Sequence, residues 1–249
     1  MKTRLRENAP GMAGQGRGDA VLHEFVSGLS GLLLAIFMWG HVVLVGSILT
    51  GERGFDWLAS MLERYYIAQP TVVAIIVLFV VHALFAGRKI PAQLHERRAF
   101  LSLSKDLRAA GARGFEPHLD SLLWIWQVRT GLVILVLASF HLGLLALDVL
   151  TPLFGERQGI EAVTTLARVQ GGLWLPYAVL LVCVEFHASV GLYRLAIKWG
   201  SGRLLSRSTM HALERIVFWL VLALGLATLS VLAGVVDPPL AFLLSEPAA

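Results

Sequence analysis

Apolar residues in this chain do not alternate with polar ones. They run in long blocks separated by short polar stretches. Five blocks approach or exceed the roughly 20 residues that a helix needs to cross about 30 Å of hydrocarbon. They cover about Phe25–Leu49, Pro70–Gly87, Leu122–Asp148, Gly171–Ile197 and Ala212–Val236. The second is short, yet TVVAIIVLFVVHALFAG is almost unbroken. β-Branched residues crowd these blocks, but a lone strand in lipid leaves its backbone unpaired, whereas a helix pairs it internally. The pattern predicts an all-α membrane protein with five transmembrane helices. Its organisation is an N-terminal segment over residues 1–24, a membrane domain over 25–236 and a tail over 237–249.

Composition agrees with this reading. The chain is 56% hydrophobic and 15% charged, with a mean hydropathy of +0.70, where a soluble domain carries about a quarter charged residues. Lysine and arginine set the orientation. With five spans, the side that holds the N-terminus also receives the 88–120 and 198–211 connections, and its basic residues number fourteen. The other side has four: Arg53, Arg64, Arg157 and Arg168. The basic side is therefore expected to be cytoplasmic, in an inner (cytoplasmic) membrane, with the tail carrying Asp237 and Glu246 on the periplasmic side. We call the half of the membrane nearest the N-terminal side inner and the other half outer. Lys2, Arg4 and Arg6 precede no apolar run with a cleavage site, so no removable signal peptide is expected. Topology and anionic lipid headgroups account for the basic surplus without nucleic acid. The stretch QLHERRAFLSLSKDLRAA, Gln93 to Ala110, reads as a surface helix on the basic side on which a soluble partner could dock.

Candidate chemistry narrows to histidine. The single cysteine, Cys183, excludes a disulfide, a cysteine-ligated iron–sulfur cluster and a C-x-x-C-H haem site within the chain. Ionisable side chains within a bilayer are costly and so mark function. His41, His82, His141 and His187 lie inside the first four spans, one in each. Depth sorts them. His41 is roughly 24 Å and His141 roughly 28 Å from the inner start of its span, whereas His82 is about 9 Å before Arg88 and His187 about 16 Å before Lys198. The expected pairs are His41 with His141 in the outer half and His82 with His187 in the inner half.

Two imidazoles on facing helices suit a low-spin haem iron, whereas zinc takes three or four protein ligands. Gly191, Arg194 and Lys198 follow His187 on one helix face, a small residue for a flat ring and two cations for its propionates. Ala86 and Lys89 follow His82 in a similar way. His23, His95, His118 and His211 lie at span ends or in a connection, where a solvated histidine is the expectation. A rival scheme puts two histidines on each of two helices. His82 and His95 have a suitable separation of thirteen, but Arg88, Lys89 and Pro91 take the chain out of the membrane between them.

These residues resemble the single-chain cytochrome b subunit of di-haem, menaquinone-linked fumarate reductases, in the succinate dehydrogenase/fumarate reductase family. The resemblance is carried by EFHASVGLYRLAIKWG (Glu185–Gly200), by VHALFAGRKIP (Val81–Pro91), and by LWIWQVRTG with His141 seventeen residues after Trp124. It runs over all five spans in order. It implies four axial histidines, one per helix, paired His82/His187 and His41/His141 around two stacked b haems, as the depths suggest independently. It also implies menaquinone, an iron–sulfur subunit docked on the cytoplasmic side, and a flavoprotein subunit beyond it that performs the dicarboxylate chemistry. A dimer of such heterotrimers is a further expectation.

The same resemblance links Glu63, in MLERYYIAQP of the outer connection, to quinol oxidation, although a solvated loop carboxylate is its plain alternative. Trp57, Tyr65 and Tyr66 nearby suit an aromatic belt. Glu185 lies about 20 Å of helix from Lys198, deep in its span. It points away from the face of His187, which suits a proton carrier or a hydrogen bond between helices. Trp124 and Lys198, with Arg129 and Arg194, are candidates for the haem propionates, the alternative being interfacial anchors. Ser27, Gly28, Ser30 and Gly31 read as small-residue helix packing. Two other functions stay open on sequence: a cytochrome b anchor for another respiratory enzyme, such as a hydrogenase or formate dehydrogenase, and a haem-free transporter or structural membrane protein.

Overall fold

The computed structural model describes residues 10–111, 119–151, 160–200 and 206–244. Lys2, Arg4, Arg6, Arg113, Arg157, Arg203, His118 and Glu246 lie outside them. The described residues form helices and turns with no strand. Eight α-helices follow in order: α1 Pro10–Gly46, α2 Glu52–Arg64, α3 Ala68–Gly87, α4 Ile90–Ala109, α5 Leu119–Leu150, α6 Ala162–Arg168, α7 Trp174–Lys198 and α8 Arg207–Leu232. Five stretches are long and apolar enough to cross a membrane: Val21–Thr50, Ala68–Gly87, Ser121–Leu147, Ala162–Lys198 and Ser208–Leu232. They correspond one for one to the five apolar blocks.

The structure differs from the sequence reading in two places. Helix α1 already runs through residues 10–24, ahead of the first apolar block. The fourth span starts earlier than Gly171 and is broken. A wider turn over Val169–Leu173 joins α6 to α7, with Gly172 at φ 108°. Glycine alone takes that conformation without strain, so the Gly171–Gly172 pair is where the helix bends.

Helices α1 and α3 pack along each other, as do α5 and α7. Helix α8 lies against α7 and, less extensively, α1. A Cβ at Gly225 of α8 would meet Leu181 of α7 at 2.5 Å, so the missing side chain sets that close approach. Between the α1/α3 pair and the α5/α7 pair the main extended contact is α1 with α7. There Gly28 faces Leu195 and Trp199.

The best-packed core sits at the outer end, not at mid-membrane. Ile48, Phe55, Ala59, Ala162, Val169, Val231 and Leu232 form it. Helix α2 contributes Phe55 and Ala59 while leaving Trp57 exposed. Asp56 accepts a hydrogen bond from the Ala162 backbone N–H at 2.8 Å, which caps α6 from α2. This cap ties the connections of the outer side together and fixes the ends of the spans beneath it.

Candidate functional site

The four buried histidines meet in two pairs. The rings of His82 on α3 and His187 on α7 have centres 6.2 Å apart, with planes at 87°. Those of His41 on α1 and His141 on α5 are 6.3 Å apart, with planes at 67°. Each pair thus joins one helix of the α1/α3 layer to one of the α5/α7 layer. The pairs stand at two levels, His82/His187 toward the α4 end and His41/His141 toward the α2/α6 end. A metal shared by two imidazoles puts their centres roughly 6 Å apart, from about 2 Å per metal–nitrogen bond and about 1 Å from nitrogen to ring centre. Both separations match that span.

The ring nitrogens point to the same use. In the inner pair, His187 Nδ1 lies 2.9 Å from the carbonyl oxygen of Gln127. His82 Nδ1 lies 3.1 Å from that of Ser27 and 3.3 Å from Ser30 Oγ. A donated Nδ1–H leaves Nε2 as the lone-pair nitrogen, which is how outer hydrogen bonds orient metal-bound histidines. The two halves repeat one device. Gly31 is four residues after Ser27 and Gly131 four after Gln127. A Cβ on Gly31 would meet His82 Cε1 at 2.9 Å, and one on Gly131 would meet His187 Cε1 at 2.9 Å. Each glycine clears space for an imidazole to reach the carbonyl one turn back. In the outer pair, His141 Nδ1 lies 3.3 Å from the Tyr177 hydroxyl, and His41 stacks on Phe37 at 5.6 Å.

Among the described residues no group of three or more His, Cys, Asp or Glu gathers to hold a metal ion. The donor set is two imidazoles at each level, between helix layers with little direct contact. That arrangement fits a planar macrocycle with an axial ligand on each face better than a bare ion.

The other candidates fall in several places. Glu185 is buried. It lies one turn after Leu181, which faces α8, so it sits on the α8 side of α7 and not on the side of His187. Trp124 is buried, and Arg194 is half-buried. Arg129 is on an exposed face with its guanidinium 5.0 Å from the centre of the Trp126 ring, a cation–π contact. Lys198 pairs with Glu24 of α1, and Lys89 pairs with the same carboxylate at 2.9 Å. Glu63 is exposed at the last turn of α2, just before Tyr66 at φ 55° turns the chain into α3. His95 is exposed. His23 sits against Phe85, and His211 stacks on Tyr193 and bonds Glu214 at 3.2 Å.

Some assignments change with the structure. Ser27, Ser30 and Gly31 serve the His82 ring, while Gly28 performs the helix packing expected of all four. Gly191 faces the Gln127 side-chain amide, 3.0 Å from a would-be Cβ, rather than an open slot for a ring. Arg168, counted on sequence as one of the outer-side cations, is buried at the end of α6 and donates to Thr165 Oγ1 at 3.1 Å. Its position one turn before the glycine pair was the available signal.

Comparison with known proteins agrees. Residues 106–228 match the family described as succinate dehydrogenase/fumarate reductase transmembrane subunit. The fumarate reductase cytochrome b subunit of Wolinella succinogenes is 33% identical over 212 residues, 80% of this chain and 76% of that protein. The protein of the same description from Helicobacter pylori is 32% identical over 214 residues, 82% and 77% of the two chains. With four span histidines in two levels and this similarity over most of its length, the chain belongs to the succinate dehydrogenase/fumarate reductase transmembrane-subunit family.

Proposed function

We propose that this chain is the di-haem cytochrome b anchor of a fumarate reductase or succinate dehydrogenase complex. In this reading it carries electrons between menaquinol and the iron–sulfur subunit. The observation that supports the reading best is the pair of imidazole bridges, 6.2 and 6.3 Å between ring centres, at two levels of one bundle. His82 and His187 would hold the iron of the inner haem, and His41 and His141 that of the outer. Each haem iron, when bound, supplies a one-electron carrier between quinone and partner subunit. Ser27 and Gln127 hold the inner imidazoles by their Nδ1 atoms, and Tyr177 holds His141. Trp124, Arg194, Lys198 and, less directly placed, Arg129 are the residues for the propionates.

Quinol oxidation leaves two protons behind. Glu63, exposed on the outer side, is the group proposed to take them there, and Glu185 the group that carries a compensating proton along the α8 side of α7. The partner docks at the inner face, where α4 presents Phe100, Leu103 and Lys105 outward. The N-terminus is on the cytoplasmic side of the inner membrane and the C-terminus on the periplasmic side. A flavoprotein completes the complex, and two heterotrimers form its dimer.

The test is a purified complex, assayed for haem b per chain and for reduction by a menaquinol analogue with fumarate as acceptor. Two haems per chain, reduced by the quinol and reoxidised by fumarate, are expected. A nickel- or molybdenum-containing partner in place of a flavoprotein would move the chain to a hydrogenase or formate dehydrogenase.

A further inference from the structure

Glu24 belongs to none of the roles above, yet it stands at the junction of three spans. It lies on α1 three residues before Ser27 and seven before Gly31, hence on the helix face that holds the His82 ring. One carboxylate oxygen accepts from Lys89 Nζ at 2.9 Å and the other from Lys198 Nζ. Lys89 is seven residues past His82 and Lys198 eleven past His187, so each lysine leads from an inner-pair histidine toward the inner face. One carboxylate thus gathers the cations trailing both ligands. Lys89 is half-buried, and burial pushes its ammonium below the ordinary lysine range, a cost that a carboxylate partner offsets. No other acidic side chain is recorded in an ion pair with either lysine among the described residues.

We propose that Glu24 is a positioning and charge-setting residue of the inner haem. Its carboxylate holds Lys89 and Lys198 over the inner end of the His82/His187 site and lowers the reduction potential of the haem bound there. The inference rests on the two-haem reading. The physics is that a negative charge near the iron favours the ferric over the ferrous state, an effect that solvent moderates here because the Glu24 side chain is 42% exposed. It also offsets two cations that would otherwise favour reduction.

The experiment is an anaerobic redox titration of the purified complex, followed by visible spectroscopy, with the inner haem identified as the one lost in His82→Ala. Glu24→Gln is expected to keep both haems, to raise the inner midpoint and to leave the outer one in place. Lys89→Gln is expected to lower the inner midpoint, and Glu24→Gln combined with Lys89→Gln to bring it back toward the parent value. An inner haem that keeps its parent midpoint in Glu24→Gln overturns the inference, as does a shift confined to the outer haem. If Glu24→Gln releases the inner haem, the Lys89→Gln titration decides alone, and an unmoved midpoint there overturns it. Fewer than two haems in the parent protein would instead remove the two-haem reading, and that is seen before any variant is titrated.

Discussion

His187 reaches the backbone of Gln127, Nδ1 to carbonyl oxygen at 2.9 Å, across a gap that Gly131 keeps open one turn further along α5. The glycine is not there for a turn or a kink; it lies in mid-helix, where it costs about 1 kcal/mol relative to alanine. The cost is offset only if something needs the space, and the imidazole does. Gly131→Ala would set a Cβ 2.9 Å from His187 Cε1 and 3.2 Å from Nδ1. Overpacking of that kind costs about 1–3 kcal/mol and displaces the His187 ring. The expected outcome is loss or weakened binding of the inner haem with the outer haem kept, read as haem b per chain. Gly31→Ala should behave alike through His82. Full occupancy of both haems in both variants would show that the glycines are spare room.

The pairing itself is tested by single replacements. His82→Ala and His187→Ala should lose one and the same haem, and His41→Ala and His141→Ala the other, because each site draws on two helices. His95→Ala should keep both, since His95 is exposed. Low-temperature difference spectra separate the two components. The same haem missing from His41→Ala and His82→Ala would contradict the pairing.

Much of this arrangement was legible in the chain. Four histidines, one per span, gave depths that are local quantities, each a helix rise multiplied by a residue count. The pairs follow from depth alone, and they are the pairs the structure brings within 6.3 Å. What the sequence concealed is what depends on the neighbouring helix. Gly31 and Gly131 look like packing glycines until His82 and His187 lie against them. Gly191 looks like room for a ring until Gln127 fills the place. Arg168 looks like a loop cation because its burial comes from α6 folding under α2, and that fold depends on Asp56, more than a hundred residues earlier.

Tyr177 gives a measure of the outer site. With Nε2 as the ligand atom, His141 Nδ1 carries a proton and donates to the Tyr177 oxygen, 3.3 Å away. A hydrogen-bonded imidazole is a more basic ligand and favours the ferric iron. Tyr177→Phe removes the acceptor, so the midpoint of the outer haem should rise and that of the inner should stay. A spectroelectrochemical titration reads both at once. A fall in the outer midpoint would reverse the donor assignment.

Glu63→Gln should stop quinol oxidation while both haems remain, each still reducible by dithionite. Glu63 is exposed at the end of α2, placed to accept a proton on the outer side. A normal turnover rate with a menaquinol analogue in this variant would place quinol oxidation beside the inner pair instead.

Glu185 is argued from charge balance. Electrons passing from an outer quinol to an inner partner move negative charge toward the negative side of the membrane. The cost is about 2.3 kcal/mol per charge per 100 mV, so two electrons at a potential of that order cost several kcal/mol. A proton travelling the same way cancels it. Among the described carboxylates Glu185 is the one buried deep in a span, and it sits on the α8 side of α7, apart from the His187 ring two residues on. A group there is close enough to respond to the inner site and separate enough not to ligate it. Glu185→Gln keeps the shape and removes the exchangeable acid. Both haems should stay bound, fumarate reduction driven by a menaquinol analogue should fall by an order of magnitude or more (about 1.4 kcal/mol or more of barrier), and reduction driven by reduced viologen at the soluble subunits should be spared. The ratio of the two activities is the measurement. Equal quinol-driven rates in variant and parent would leave Glu185 as a packing residue between α7 and α8.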